Sequence, residues 1–173
     1  PFVCRAQVSE IQWLKNLGGS GSEYFEQIIF TSDSNYLAVG FTTSDDFDIV
    51  VNNGEFDYFA VKFDTIGNII WKKNYGGSLS DICYSVVETP EGNYMLAGES
   101  FSNDGDVTAT QLLKNVWLLL VNSDGEILSQ KTYGGSINET AKSIIINEHG
   151  NYVICGETNF NVGDVSGNHL FGT

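Results

Sequence analysis

The chain has 173 residues, 22 of them Asp or Glu against 8 Lys or Arg, for a net charge of -14, with 19 glycines and only 2 prolines. A field of that sign repels a phosphate backbone or an anionic membrane surface, which argues against nucleic acid as a partner. No stretch approaches the roughly 18 uninterrupted apolar residues of a membrane-spanning helix, and abundant Gly with 13% aromatics suits an all-β chain with many tight turns.

In chain order, residues 1–8 stand apart from the rest, and Pro1 to Gln7 reads as the end of a secretory leader. From residue 9 the chain repeats itself every 58 residues. Gly18-Gly19-Ser20 recurs as Gly76-Gly77-Ser78 and Gly134-Gly135-Ser136. The same offset carries Asn35-Tyr36 onto Asn93-Tyr94 and Asn151-Tyr152, Gly40 onto Gly98 and Gly156, and Lys15 onto Lys73 and Lys131. Self-similarity at a fixed period means an array of one supersecondary unit, as in a solenoid or a propeller.

Each copy holds four β-like runs. In the first they are Glu26 to Thr31, Asn35 to Thr42, Asp57 to Asp64 and Asn68 to Tyr75. Gly92 and Gly150, just before Asn-Tyr, mark a tight hairpin. Asp64-Thr65-Ile66-Gly67 and Asn122-Ser123-Asp124-Gly125 fit a type I turn whose glycine takes a positive φ. The third run (Val116 to Val121, for example) is apolar without alternation, which predicts a strand buried on both faces, and the first run, Ile28-Ile29-Phe30, reads the same way. No i, i+3, i+4, i+7 stripe supports a helix. A lone meander cannot cover both its faces, but radially stacked ones can. The expected fold is therefore all-β, with β-propeller-like blades of four antiparallel strands, about three repeats and an incomplete ring. A β-solenoid is the rival, though its coils are usually shorter. The expected division is the leader (1–8), the fourth strand of a preceding blade (9–19, with Trp13 falling on Trp71), two blades (20–77 and 78–135) and a partial blade (136–173). The chain reads as a fragment of a longer array, or as one of several chains that complete a ring as a homo-oligomer.

Among residues that could carry chemistry, the acidic loop stands out. Asp45-Asp46-Phe47-Asp48, Asn103-Asp104-Gly105-Asp106 and Asn161-Val162-Gly163-Asp164 are equivalent. Asp46, Asp48, Asp104, Asp106 and Asp164 are the candidate ligands for calcium, which takes several oxygens at about 2.3–2.6 Å. The spacing is not that of an EF-hand, and the plainer reading is an Asx turn in which the carboxylates satisfy backbone amides. The Gly-Gly-Ser triplets lack the helix and the Lys-Ser/Thr of a phosphate loop and read as connections between units. Glu99 and Glu157 share a repeat position where Phe41 stands in the first copy, and a paired-carboxylate glycosidase is the sharper but weaker interpretation. His149 and His169 are not repeat-equivalent and read as solvated. Trp13, Trp71 and Trp117 read as packing residues. Cys4, Cys83 and Cys155 show no metal-ligand spacing; Cys83 and Cys155 read as small core residues, with a disulfide between them left open.

The pieces Ile11-Gln12-Trp13-Leu14-Lys15 with Gly18-Gly19-Ser20, Asn93-Tyr94 with Gly98, Asp104-Gly105-Asp106-Val107, and Asp57-Tyr58-Phe59 with Lys62 together resemble a repeat of secreted Bacteroidota proteins associated with type IX secretion. Ser129 and Leu120 depart from it, where Trp and Lys would be expected. The resemblance covers residues 9–173 and implies an exported, propeller-like protein with no carried-over catalytic residue. The resulting expectation is a secreted or cell-surface, non-catalytic scaffold whose loops bind a protein or an extracellular glycan, with calcium ordering the acidic loops. The alternatives are a fragment of a propeller enzyme of hydrolase or quinoprotein type, and a structural spacer or self-assembling ring.

Overall fold

The computed structural model describes residues 11, 13–49, 51–109, 113–135 and 138–158. The leader, Cys4, Asp164, His169 and the rest of 159–173 lie outside the described residues. Among the described residues there are ten strands: β1 (Glu23–Phe30), β2 (Tyr36–Thr42), β3 (Asp57–Phe63), β4 (Ile69–Tyr75), β5 (Asp81–Glu88), β6 (Tyr94–Ser100), β7 (Asn115–Val121), β8 (Ile127–Tyr133), β9 (Glu139–Ile146) and β10 (Tyr152–Thr158). Their bounds repeat at the 58-residue period. The pairings between these strands are antiparallel, in a first sheet β1-β2-β3-β4, a second sheet β5-β6-β7-β8 and a two-stranded third, β9-β10, and an isolated parallel bridge joins Phe56 to Ser80. No helix among the described residues is long and apolar enough to cross a membrane.

The turns follow the local chemistry. Gly67 and Gly125 take φ of 84° and 78°, and Gly92 and Gly150 take 79°. At the same hairpin position in the first copy Ser34 is held at φ 64°, in a region that suits glycine.

The first strand of every sheet starts three residues before the apolar run that announces it, because a bulge breaks its alternation. The pairing slips between Phe25 and Gln27, between Cys83 and Ser85, and between Ser143 and Ala141, leaving Glu26, Tyr84 and Lys142 as the extra residues. Opposite each bulge is a glycine. A Cβ on Gly40, Gly98 or Gly156 would collide with the carbonyl oxygen of Tyr24, Ile82 or Thr140. That close approach is the physical reason for the glycine in each copy.

The sheets stack face to face. Leu37, Val39, Tyr58 and Ala60 of the first sheet and Val86, Leu96, Trp117 and Leu119 of the second share one buried cluster. The Tyr58 and Trp117 rings lie 4.5 Å apart between centroids, and the Tyr58 hydroxyl donates to the Trp117 carbonyl oxygen at 3.0 Å. At the next junction Ala97 and Leu118 meet Ala141 and Ile144. The apolar run Tyr58 to Val61 of β3 is buried, as predicted, and so are the charged Asp57 and Lys62 on either side of it. The first strand departs from the same expectation. Phe25 and Ile28 are 44% and 57% exposed, although their equivalents Cys83 and Val86 are 0% and 1% exposed, because among the described residues no second sheet stands on that face of the first sheet, where Trp13, Leu17 and Ile49 pack. Cys155 is likewise exposed rather than a core residue, because it lies on the uncovered third sheet, whereas Cys83 is buried; both are free thiols.

Trp13 and Trp71 pack, as expected, and also act as clasps. Trp71 Nε1 donates to Ser123 O in the β7–β8 turn at 2.8 Å, and Trp13 Nε1 donates to Thr65 O in the β3–β4 turn at 3.0 Å. The repeated lysines work beside them. Lys15 Nζ donates to Gly67 O at 2.9 Å and Lys73 Nζ meets Glu126 at 2.7 Å, so β4 and the segment around Lys15, which is not the expected strand, are each tied to the turn of the next unit.

Candidate functional site: the loop end of the sheets

In the first two copies the Gly-Gly-Ser turn, the acidic loop and the start of β1 or β5 meet at one end of the sheet, and in the third Gly135 meets the start of β9. Each first strand opens with an acid that accepts from the second glycine amide: Gly19 to Glu23 at 3.2 Å, Gly77 to Asp81 at 2.7 Å and Gly135 to Glu139 at 3.2 Å. The Ser44 hydroxyl donates to Glu23 and the Ser102 hydroxyl to Asp81. These three acids hold the loops in place. They are not marked by an apolar run, so only their common offset from the glycines could have exposed them.

The candidate calcium ligands turn the same way. Asp46 accepts the Ser20 amide at 2.8 Å, Asp104 the Ser78 amide at 2.7 Å, and Asp106 the Gly76 amide at 3.2 Å. The Asp48 amide donates to Gly18 O at 3.3 Å. The Ser78 amide, followed by its side chain, holds the Asp104 carboxyl below its ordinary value. Among the described residues no group of three or more His, Cys, Asp or Glu side chains is arranged to hold a metal. Asp164, the remaining candidate, lies outside those residues.

Two carboxylates at this end are buried. Asp57 and Asp81 close on Gly76, where a Cβ would run into Asp57 Oδ1, and each has an Oδ1 without a hydrogen-bond partner. Asp57 Oδ2 accepts the Asn53 amide at 2.6 Å. Burial, opposed by that amide and reinforced by the charges of Asp81 and Asp106, pushes the Asp57 carboxyl up to about 7. Burial raises Asp81 as well.

One copy differs from the others at this end in a way that matters chemically. Tyr24 and Phe41 stack at 4.9 Å with planes 23° apart, and Phe56 meets Phe41 edge-on at 5.5 Å. None of the three is fully buried, and Tyr24 is the most exposed of them. One repeat later the same positions are Ile82, Glu99 and Lys114. There Glu99 is buried, accepts the Thr140 hydroxyl at 2.5 Å and lies 3.3 Å from Lys114 Nζ. Glu99 is thereby tied into a junction between sheets, while Glu157 lies exposed on β10. In the adjoining acidic loop Phe47 is 84% exposed at φ 52°, where the second copy has Gly105 at φ 61°. Reading the copies for what they share hides these aromatics; subtracting one copy from another reveals them. His149 lies in its hairpin turn, exposed, 3.7 Å from Glu148.

No family model matches the chain, and no curated protein matches it.

Proposed function

We propose that the protein is an exported, non-catalytic repeat scaffold, its sheets the blades of a propeller-like array, and that the aromatic residues at the loop end of its first sheet bind a ligand. The ligand is a protein or an extracellular glycan, and the glycan fits better, since stacked rings flanked by carboxylates and hydroxyls suit the C–H face and hydroxyls of a sugar. One observation carries the reading: Phe47 stands exposed in a left-handed backbone conformation that costs a non-glycine residue on the order of 1 kcal/mol, where another copy uses glycine. A large apolar side chain kept in solvent at a conformational cost is a feature for contact. Calcium belongs to the proposal only as an ion that would have to draw Asp46 and Asp104 away from the Ser20 and Ser78 amides.

A printed array of bacterial and host surface glycans tests it. Wild type is expected to be retained, and Phe47→Gly to lose retention while melting no lower than wild type. Equal retention of the two proteins, or turnover on a panel of chromogenic glycosides, overturns it. A melting temperature identical in EDTA and in millimolar calcium removes the ion.

A further inference from the structure

The two outer faces of the stack are the two halves of one repeated interface. At the first junction the second sheet presents Cys83 and Val86, and the first sheet covers them with Leu37, Val39 and neighbours. At the second junction Ala141 and Ile144, one period on, are covered by Ala97 and its neighbours. The first sheet presents Phe25 and Ile28 at these same positions, and they are exposed. The third sheet carries Val153 and Cys155 where Leu37 and Val39 stand, and Ile145 where Ile29 stands; Ile145 is 57% and Val153 46% exposed. An open cavity of about 350 Å³ on the first sheet, lined by Trp13, Leu17, Phe25, Ile28 and Phe63 among others, marks the uncovered ground.

The polar contacts across the junctions also repeat. The Val86 amide donates to Gln27 Oε1 at 2.7 Å, and the Ile144 amide donates to Ser85 Oγ at 3.2 Å, one period later. The bulge residues form a column in which Lys142 Nζ sits 3.5 Å from the centre of the Tyr84 ring of the unit before it. Continued by one step, this column places Lys142 beside Glu26, and the Ile28 amide beside Ser143. The two exposed faces thus match in apolar position, in hydrogen bonding and in charge.

We propose that this chain associates head to tail with a second copy of itself, the β9–β10 face of one copy covering the β1–β2 face of the next, with Lys142 of one paired with Glu26 of the other. Such an interface is heterologous, so it generates a ring if the rotation closes and a filament if it does not. The inference is independent of the ligand proposed above, because the interface lies on the faces of the stack and the ligand site at its loop end.

Light scattering after size-exclusion chromatography, over a hundredfold range of concentration, tests the proposal in four proteins: wild type, Glu26→Lys, Lys142→Glu and the double exchange. Wild type is expected to exceed its 19.0 kDa chain mass increasingly with concentration. Each single exchange should weaken association at least tenfold, and the double exchange should restore it. The Glu26 and Lys142 side chains are exposed, so the variants should fold, and circular dichroism confirms that they do. A wild-type monomer throughout, or association indifferent to either single exchange, overturns the proposal. So does a double exchange that fails to recover.

Discussion

Asp57 and Asn115 stand one period apart, both buried against the glycine that precedes the next sheet, and of the two only Asp57 leaves a buried side-chain oxygen without a hydrogen bond. Asn115 instead donates from Nδ2 to the Leu113 carbonyl oxygen at 2.7 Å. The fold therefore accepts an amide at a position where the first copy carries a carboxyl held at about 7.

A pH dependence with a definite sign follows. Between 3.8 and about 7 the folded state binds the Asp57 proton more tightly than the unfolded state does. The group's contribution is therefore most favourable near pH 4, declines as the pH rises to 7 and is level above that. Asp57→Asn should raise stability at pH 8 by on the order of 2 kcal/mol, with the gain vanishing toward pH 4. Urea midpoints of both proteins at pH 4, 6 and 8 check this; a gain that does not vary with pH rules it out.

The bulge glycines should be among the least replaceable residues. Gly98→Ala places a methyl group on the Ile82 carbonyl oxygen and should cost more than about 3 kcal/mol or prevent folding. Gly92 has nothing within 4 Å of a Cβ, so Gly92→Ala should cost only about 1 kcal/mol, the penalty of its φ of 79°. Equal costs in thermal unfolding would show that sterics opposite the bulge are not the reason for the glycine.

The same turn position in the first copy invites the reverse change. Ser34→Gly should stabilise by about 0.5 kcal/mol, relief of the positive φ exceeding the added freedom of the unfolded chain. A lower melting temperature would contradict this.

The tryptophan clasp can be weighed separately from its packing. Trp71→Phe keeps a ring but removes the shorter of the two hydrogen bonds to Ser123 O, leaving the one from Lys62 Nζ at 3.4 Å, and should cost about 1 kcal/mol in chemical unfolding. A change below about 0.3 kcal/mol would mean that the indole contributes contact alone.

Much of the fold was legible in the residues. The period located every strand, Gly67, Gly92, Gly125 and Gly150 announced their turns, and the apolar run of β3 announced its burial. These are local properties, set by backbone sterics and by the alternation of side chains. The aromatic patch was less legible, since Tyr24, Phe41 and Phe56 are far apart in sequence and read singly as strand formers. The acidic loops could be read either as cation ligands or as Asx turns, because the residues suit both; the positions of the Ser20 and Ser78 amides direct Asp46 and Asp104 to the backbone.

The length of the unit, its strands, its turns and the residues common to every copy are set locally, since each depends on short-range geometry repeated at a fixed interval. Which surfaces stay uncovered was decided only in three dimensions. Ile28, Val86 and Ile144 are interchangeable as sequence, yet Ile28 meets solvent while Val86 and Ile144 are buried. The physical reason is that burial belongs to a junction between sheets, and a residue's own repeat does not record whether a neighbouring sheet stands against it.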